Sequence, residues 1–413
     1  MDLSNVFTQK EIEDALDALS NKRYKKNFGE LKRFLGEQER KENELGHYLR
    51  SMDASLYFNG LKKFSLDAYA GIKILKNNGK SRPLLIPSPK DRVILSAAFI
   101  KVRDVLASEL KKRQSLGLGL EKSDKKTLGV KTTECRKVLD AIQSDIYDGY
   151  TFVLKLDFKD FFSSINRRKL LFRLKKHFTS DNEALLFRFI KATLGNKIDA
   201  KKPSEFWGTF NKMDLKNKGI PQGLSYSPLL ASFYALSLDD MASSRDDTKS
   251  YRYLDDMVIL CKSEKAVNRT YKKIKSLSRK LDLNLHPLGS DSKKTKMVDI
   301  TKDNFEFLGV DIAKDSVFIS KESIQDFKEK IENEIINKKT IKNFPNDIRE
   351  VYKRFVGGWS NHYKNVCPED YKKVRRELEE YLKGYIEKKN HSERLAFFQV
   401  ERLILEKPFI IKV

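Results

Sequence analysis

Two adjacent acids interrupt an apolar run near the middle of the chain. The run is Tyr251–Lys262, and the acids are Asp255 and Asp256. Burying a carboxylate in such a run costs several kcal/mol unless a cation or hydrogen bonds compensate it. A tight hairpin with both acids at its tip removes this cost and presents them to a cation. The pattern therefore predicts a hairpin over Tyr251–Lys262.

A third carboxylate ends another apolar run. Residues Thr151–Asp157 have the pattern of a buried strand that ends at Asp157. Carboxylates at the ends of adjacent strands suit Mg²⁺, which takes oxygen ligands and completes its shell with water and phosphates. Two such ions ~3.5–4 Å apart stabilise the attacking and leaving oxygens in phosphoryl transfer. Each acid taken alone fits a cap or a turn equally well.

Two further Asp-Asp pairs lack this apolar context. Asp239-Asp240 lies at the end of a predicted helix, and Asp246-Asp247 lies among polar residues. We predict a helix end and a solvated loop for these pairs, with no role in chemistry.

A string rich in glycine and proline lies between the two acidic strands. Residues 219–231 read Gly-Ile-Pro-Gln-Gly-Leu-Ser-Tyr-Ser-Pro-Leu-Leu-Ala. Ser227-Pro228 predicts a helix start, because proline is tolerated in the first turn. Gly223 allows a backbone to approach a ligand closely. A loop that caps an ordinary helix explains Ser227-Pro228 but not the whole string.

The charge of the chain indicates a polyanionic partner. The 413 residues carry a net charge of +24 with a pI of about 9.6. Nucleic acid is the first candidate and an anionic membrane the second. No apolar stretch approaches the ~18 residues of a membrane span, and the N-terminus does not resemble a signal peptide. Three separated cysteines without a CxxC motif predict reduced thiols in a cytoplasmic protein.

The hydrophobic pattern predicts an α+β chain. Expected strands and hairpins lie near residues 151–157, 251–262, 297–310 and 316–319. Expected helices lie near residues 91–112, 166–194, 227–241 and 264–281, and almost everywhere after residue 321.

These motifs resemble the reverse transcriptase family over about residues 70–410. Residues 155–165 resemble the first palm motif, residues 220–228 the motif that contacts template and nucleotide, and residues 253–256 the YxDD hairpin. Motifs before and after these occur in the expected order. Residues 76–92 resemble the fingers motif, residues 293–296 a loop that carries a lysine, and residues 307–309 the primer grip. Residues 355–363 resemble the thumb of group II intron enzymes and their bacterial relatives. Residues 115–130 match only loosely, and residues 1–60 match no known motif.

The resemblance implies a right-hand polymerase fold with fingers, a palm built on an antiparallel sheet, and an α-helical thumb. The expected boundaries are an N-terminal helical extension (1–60), fingers (61–150), a palm (151–312, with a fingers-side insertion at about 166–218) and a helical thumb (313–413). We expect Trp359 and Tyr363 to pack inside the thumb rather than stack on bases.

The resemblance also implies roles for single residues. Asp157, Asp255 and Asp256 would be catalytic. Asp157 and Asp255 would chelate two Mg²⁺ ions with help from the Phe158 carbonyl, with Mn²⁺ as an alternative, and Asp256 would be a nearby carboxylate with a looser role in metal binding. The nucleotide site would comprise Lys76 (or Lys73), Arg82, Phe162, Gln222, Gly223 and Lys294 (or Lys296). The primer grip would comprise Phe307, Leu308 and Gly309.

Within the nucleotide site, each role has a simpler alternative. Arg82 would neutralise the triphosphate, unless it belongs to a solvated basic loop. Phe162 would exclude a 2′-hydroxyl group, unless it is a core aromatic as Phe161 beside it is expected to be. Gln222 and Gly223 would line the nascent base pair, and Lys294 would donate a proton to pyrophosphate.

The implied activity is RNA-directed DNA polymerisation in a bacterial anti-phage defence system. Expected partners are an RNA template, a structured non-coding RNA, dNTPs, the RNA–DNA hybrid product, and a partner protein or a second copy, with no membrane. Alternatives are a retron or mobile-element (group II intron-like) reverse transcriptase, a catalytically idle RNA-binding scaffold, or an RNA polymerase, against which Leu254 and Phe162 argue. The end at Val413 leads us to expect no nuclease domain.

Overall fold

The computed structural model describes residues 1–20, 52–75, 81–111, 132–199, 218–289, 294–337 and 359–389. The chain divides into two compact units. The first comprises Met1–Lys131 and Ser144–Lys302, and the second comprises Thr132–Gln143 and Asp303–Val413.

The first unit is built on an antiparallel sheet. Its strands are β3 (Phe152–Lys159), β5 (Thr248–Tyr253), β6 (Asp256–Cys261), β7 (Asn284–Leu285) and β8 (Lys296–Asp299). The strand order is β5-β6-β3-β7, and β8 also pairs with β3. The predicted hairpin is confirmed, with Leu254 and Asp255 as its two-residue loop. The prediction that the strand ends at Asp157 was wrong, because Phe158 and Lys159 continue it by pairing with β7.

The two faces of this sheet differ in character. Side chains alternate along a strand, so Leu154, Leu156 and Phe158 of β3 share one face and all three are buried in the main core. Lys155 and Asp157 lie on the opposite face. One face of the sheet therefore holds the main core. The opposite face, called the polar face below, carries Lys155 and the acids, together with Val153, Val258 and Leu260, which are buried outside that core.

Helices α8 (Ser227–Ala242) and α9 (Glu264–Lys280) cover the core face. The helix predicted from Ser227-Pro228 is confirmed, and it is buried along most of its length because its sequence is apolar on all sides. Helix α9 is instead amphipathic. It buries Ala266, Val267 and Ile274 and exposes a row of lysines.

The helix expected over residues 166–194 is in fact two helices. Helix α6 (Arg167–Lys175) ends before residues 176–180, and helix α7 (Asp181–Leu194) begins after Ser180. Ser180 and Glu183 form a reciprocal capping box, in which each side chain accepts a hydrogen bond from the other residue's backbone N–H. A cap of this kind satisfies N–H groups that a helix start leaves unpaired, so it starts a new helix where the periodicity suggested continuity.

The N-terminal residues belong to the same core. This part of the chain contains helices α1 (Gln9–Ser20), α2 (Ala54–Gly60) and α3 (Pro89–Lys111), the turn Leu61–Lys63, and strands β1 (Tyr69–Leu75) and β2 (Ser81–Ile86). Strand β1 pairs antiparallel with β2 and parallel with β4 (Ile198–Asp199). Leu3, Phe7 and Ile12 are buried, so residues 1–20 form an integral part of the first unit.

The second unit contains a small antiparallel sheet and helices. Its strands are β9 (Phe305–Phe307), β10 (Val310–Ile312) and β11 (Val317–Ile319) in the order β11-β10-β9. Its helices are α10 (Lys321–Asn337), residues 359–366 and α11 (Pro368–Lys389), and α4 (Thr132–Tyr147) begins in this unit. The expected packing of Trp359 is confirmed, since its ring lies 4.8 Å from that of Tyr363 and 5.3 Å from that of Phe327, between ring centroids.

All three cysteines are buried and form no disulfide, which confirms the predicted free thiols. Burial raises the pKa of Cys261 and of Cys367 to about 12. Both thiols therefore stay protonated at neutral pH and react poorly. Among the described residues, no helix is both long and apolar enough to cross a membrane.

A buried carboxyl group lies at the start of α3. Asp91 is fully buried, and its Oδ2 accepts a hydrogen bond from the backbone N–H of Asp67 at 2.9 Å. The Asp67 carboxylate lies nearby and is held by Ser88 and Lys90. Burial, reinforced by the charge of Asp67, raises the pKa of Asp91 to about 6. The ionised form of Asp91 is therefore destabilising at neutral pH.

Replacing Asp91 with Asn is expected to remove a pH-dependent loss of stability. Between about pH 4 and pH 6 the folded chain keeps a proton at Asp91 that the unfolded chain has released, so the free energy of unfolding falls as the pH rises through this window. The uncharged Asn escapes this loss. The unfolding free energy of Asp91→Asn relative to wild type should rise by about 1–3 kcal/mol across the window, as measured by urea unfolding.

The matched control is Asp148→Asn, which alters an exposed carboxylate of the same unit. Its stability difference from wild type should stay constant over the same pH range. A constant difference for Asp91→Asn as well would contradict the role given to burial.

Candidate active site

The site centres on two carboxylates that face each other across β3 and β6. Asp157 and Asp256 are directly paired in the antiparallel ladder, so both side chains project from the polar face of the sheet. Asp255 precedes Asp256 in the hairpin turn, and all three side chains are half-buried. The structure thus brings the three predicted acids into one place through strand pairing and a tight turn.

Basic side chains surround these carboxylates. Lys294 Nζ lies 2.6 Å from Asp157 Oδ2, and His286 Nε2 lies 4.0 Å from the same oxygen. Lys155 Nζ lies 4.0 Å from Asp256 Oδ1. The two lysines therefore offset the repulsion between the neighbouring acids, and the half-exposed Lys294 side chain lies beside an Asp157 side chain that is 20% exposed.

The carboxylates fit a hard divalent cation by their chemistry. Mg²⁺ prefers oxygen ligands and rarely takes more than one or two carboxylates from the protein, and Asp157 and Asp256 offer one each from facing strands. Asp157 Oδ2 already accepts the ammonium of Lys294. In the described part of the chain, however, no three acid, His or Cys side chains converge tightly enough to form a metal centre.

The loop at residues 219–223 is tied by backbone hydrogen bonds to the helical segment that follows β3. The Gly219 N–H donates to the Ile165 carbonyl at 2.8 Å, and the Ile220 N–H donates to the Phe162 carbonyl at 2.9 Å. Helix α5 (Phe161–Ser164), which carries Phe162, begins two residues after β3 ends. Because the chain is short between these points, Phe162 is held close to Asp157.

The same loop is bonded to the β1–β2 hairpin. The Leu85 N–H donates to the Gln222 carbonyl at 2.7 Å. Gly223 has a φ of +114°, and a Cβ atom there would lie 2.2 Å from the Leu85 carbonyl oxygen. Only glycine can occupy this position, and the immediate reason is contact with the backbone of β2 rather than with a ligand.

The remaining predicted residues lie outside this cluster. Arg82 is in β2, paired with Ile74, and Lys76 lies outside the described residues. Phe307, Leu308 and Gly309 form the end of β9 and its turn in the second unit. The Phe307 side chain is fully buried, while the Gly309 carbonyl accepts hydrogen bonds from Tyr363 Oη at 3.1 Å and Ser323 Oγ at 3.0 Å.

Comparison with known proteins identifies the family. The model of a family described as "Reverse transcriptase (RNA-dependent DNA polymerase)" matches residues 74–312, which is more than half of the chain. The chain belongs to the reverse transcriptase family. The fold class expected from the sequence, an α+β right-hand polymerase, is confirmed by this match.

Two kinds of relative accompany the family match. An uncharacterised 91 kDa protein in the cob intron of Schizosaccharomyces pombe is 26% identical over 242 residues, which is 56% of this chain and 27% of that protein. The match thus spans about a quarter of the relative's length. A telomerase structure from Candida albicans aligns over 88% of this chain and 65% of its own, with 11% identity and a TM-score of 0.46. A structure of apo telomerase from Candida tropicalis aligns over 82% of this chain and 68% of its own, with 12% identity and a TM-score of 0.44.

One residue of this reverse transcriptase that the sequence reasoning missed is Arg252, which supports the acidic turn. Its Nε and Nη2 donate to the two carboxylate oxygens of Asp239 at 2.8 and 2.6 Å, and Nη2 also donates to the Ser232 carbonyl at 3.1 Å. Its Nη1 donates to the Leu254 carbonyl at 3.1 Å. A single planar guanidinium group therefore joins α8 to the loop that carries Asp255.

The Leu254 contact matters because this residue has an unfavourable backbone conformation. Its φ is +57°, and a residue with a side chain pays about 1–2 kcal/mol to enter the left-handed region. Two-residue hairpin loops need such angles to match the twist of their strands. The hydrogen bond from Arg252 holds the Leu254 carbonyl in place, and with it the start of the loop.

The predicted helix-end position of Asp239 is confirmed, because it lies in the last turn of α8, but its part in supporting the acidic turn was not predicted. Asp239 is 4% exposed and forms the paired hydrogen bonds with Arg252, which is 1% exposed. Asp246, in contrast, is exposed as predicted, and Asp247 is half-buried and pairs with Arg269 at 2.6 Å. The position of Asp239 at a helix end does not reveal its supporting role, because that role depends on the buried Arg252, thirteen residues later in the sequence.

Replacing Gly223 with Ala is expected to lower the free energy of unfolding by about 2 kcal/mol or more. The added Cβ cannot coexist with the Leu85 carbonyl, and the backbone would be strained even if β2 moved. Urea unfolding measures the loss. Gly60→Ala is the control, because a Cβ there meets nothing within 4 Å, and it should leave stability unchanged or slightly higher. Equal stability of both variants would contradict the close approach.

Replacing Arg252 with Lys is expected to loosen the acidic turn. A lysine has one ammonium group and cannot bond the Asp239 carboxylate pairwise and reach the Leu254 carbonyl as well. Amide hydrogen exchange of residues 253–257 should accelerate at least about tenfold. DNA synthesis should show a kcat about tenfold lower with little change in the KM for dNTP, since a misplaced catalytic group affects the reaction more than binding.

Arg269→Lys is the matched control for Arg252→Lys. Arg269 also pairs with an aspartate of the same unit, at 2.6 Å, but its partner Asp247 lies before β5 rather than in the turn. The exchange rate at residues 253–257 and the kcat should stay close to wild type. Indistinguishable behaviour of the two variants would contradict the role given to Arg252.

Proposed function

We propose that this chain catalyses RNA-templated DNA synthesis. The observation that carries the proposal is the pairing of Asp157 with Asp256 across β3 and β6, with Asp255 in the connecting turn. This arrangement lies on the polar face of the sheet, in a chain of the reverse transcriptase family. A scaffold without catalysis would have no need to bury part of three carboxylates beside one another.

The proposed metal ligands are Asp157, Asp255 and Asp256, with the carbonyl of Phe158. They would hold Mg²⁺, or Mn²⁺ as an alternative, because their oxygens are the donors that these ions prefer. Two such ions, when bound, supply charge stabilisation for the attacking 3′-oxygen and for the departing pyrophosphate. The three side chains themselves supply the negative charge and fix its position through the hairpin.

Lys294 is proposed to carry the proton that the departing pyrophosphate needs. Its Nζ lies 2.6 Å from Asp157 and its side chain is about half exposed, so it can move between the carboxylate and a nearby phosphate. Lys296 is the alternative. It lies in β8 directly opposite Lys155, which places it further along the strand from the acids.

Phe162 is proposed to select the sugar of the nucleotide. Its ring is half-buried, while the neighbouring Phe161 is 2% exposed and belongs to the core. The ring centroids lie 5.9 Å apart with nearly perpendicular planes, so Phe161 supports one edge of Phe162. The partly exposed ring would pack beneath a deoxyribose and exclude a 2′-hydroxyl group, which favours dNTPs.

The rest of the nucleotide site and the domain division are part of the same proposal. Gln222 and Gly223 would line the nascent base pair, and Arg82, helped by Lys76 or Lys73, would hold the triphosphate. The primer strand would contact residues 307–309. Fingers, palm and thumb would follow the boundaries given above, after an N-terminal helical extension that packs with the fingers.

Two biological roles are compatible with this chemistry. We propose a role in anti-phage defence, because the sequence of residues 220–228 and the apolar start of α8 resemble those of defence-associated reverse transcriptases. A structured non-coding RNA would serve as template, and a partner protein or a second copy would be an accessory. The second candidate is a mobile-element enzyme, which the relative in the cob intron favours. The neighbouring genes, a defence cluster or an intron, distinguish the two.

Purified protein given an RNA template, a DNA primer, labelled dNTPs and Mg²⁺ is expected to extend the primer. Asp157→Asn and Asp255→Asn should each lower the rate at least about a thousandfold, because each removes charge that stabilises the transition state. Both variants should still bind template–primer, as measured by fluorescence anisotropy. Omitting Mg²⁺ should abolish extension.

Asp246→Asn is the control, since Asp246 is an exposed acid of the same unit, and its rate should match wild type. Wild-type rates in Asp255→Asn would overturn the catalytic assignment. Preferential incorporation of NTPs by the wild type would overturn the proposal of a DNA product.

A further inference from the structure

Helix α9 has an unusually dense positive charge. Its 17 residues contain seven Lys or Arg residues and a single acid, Glu264. Six of the cations are exposed: Lys265, Lys272, Lys273, Lys275, Arg279 and Lys280. None of these six pairs with a carboxylate in the described part of the chain, so the outer face of α9 carries an uncompensated charge.

The sequence of α9 places these cations where they repel one another. Lys272 and Lys275 are three residues apart, and Lys275 and Arg279 are four apart. Like charges at these spacings lie side by side on a helix and destabilise it by about 0.2–0.5 kcal/mol per pair. An ordinary solvated face would intersperse acids to relieve this repulsion. A bound polyanion would relieve it here.

The sheet separates these cations from the acidic site. Helix α9 buries Ala266, Val267 and Ile274 in the core shared by Leu154 and Leu156 of β3. Asp157 projects from the opposite face of the same strand. Nucleic acid held at Asp157 therefore cannot reach the outer face of α9 through the sheet. The charge of α9 is not part of the polymerase site.

Helix α6 extends the basic surface beyond the end of α9. Lys169 Nζ donates to the Lys280 carbonyl at 2.7 Å and pairs with Asp282 at 2.9 Å, so the two helices adjoin there. Helix α6 also exposes Phe172, whose side chain is 69% accessible and has Lys176 Nζ 5.1 Å from its ring centroid. An exposed ring among cations suits the stacking of an unpaired base.

We propose that this rear surface, defined as Lys272, Lys273, Lys275, Arg279, Lys280 and Phe172, binds RNA that lies outside the polymerase site. The contacts are to phosphates and to an unpaired base, so binding is independent of sequence. The proposal rests on the proposed function for its choice of RNA, since the template is the polyanion that the enzyme must retain. The rear surface would hold the template while its other end is copied.

The test compares Lys272→Glu/Lys273→Glu with Lys62→Glu/Lys63→Glu. The second pair of adjacent lysines is also exposed and lies in the same unit, so both variants change the net charge equally. Filter binding of a stem-loop RNA with a single-stranded tail is measured over a range of KCl concentrations. DNA synthesis is measured separately on a short template–primer that has no tail.

For Lys272→Glu/Lys273→Glu we expect a Kd about tenfold higher near 0.1 M salt. The slope of log K against log salt should fall by about 1.4–1.8, because two phosphate contacts are lost and each contributes about 0.7–0.9. Extension of the short template–primer should stay at the wild-type rate. Lys62→Glu/Lys63→Glu should bind the RNA with nearly wild-type affinity and slope. Phe172→Ala should weaken binding of the tailed RNA but not of a fully paired duplex.

Unchanged affinity and slope in Lys272→Glu/Lys273→Glu would overturn the proposal, as would an equal loss in both double variants. A selective loss of binding to anionic lipid vesicles, with RNA binding intact, would make this a membrane surface and would also overturn it. If the wild type fails to extend any primer but the selective RNA-binding loss remains, the rear surface stands and the proposed polymerase activity falls.

Discussion

The pairing of Asp157 with Asp256 across β3 and β6 is the constraint on which the rest of the first unit depends. Side chains directly opposite each other in an antiparallel ladder lie about 4.5–5.5 Å apart at Cβ, where like charges destabilise the sheet. The chain keeps this register because the alternate residues on both strands, such as Leu156 and Met257, are buried on the other face. Slipping by one residue would expose that core and bury the acids.

Support for the acidic site comes from two segments outside the hairpin, helix α8 and the loop at residues 219–223. Arg252 joins the turn to α8 through Asp239, and the loop at residues 219–223 joins the segment just after β3 to strand β2. Backbone hydrogen bonds and one buried ion pair therefore support the geometry of the acidic site, and they are stiffer than the half-buried side chains that they position.

The sequence predicts the elements of the site better than their connections. The hairpin with Asp255, the strand with Asp157 and the helix after Ser227-Pro228 follow from local patterns, and the structure confirms them. The roles of Arg252 and Gly223 do not follow, because each depends on a partner that folding brings from elsewhere. The break between α6 and α7 was missed for a different reason. A capping box can start a new helix within a continuous periodic pattern, and no proline or glycine is needed to mark the break.

The buried thiols described above have a practical consequence for chemical labelling. Cys135, Cys261 and Cys367 are all inaccessible, and the high pKa of two of them suppresses the thiolate that maleimide reagents attack. A cysteine introduced at an exposed position will therefore be modified selectively in the otherwise native chain. Fluorophores or spin labels can be attached to each compact unit in this way, and their separation followed while nucleic acid binds.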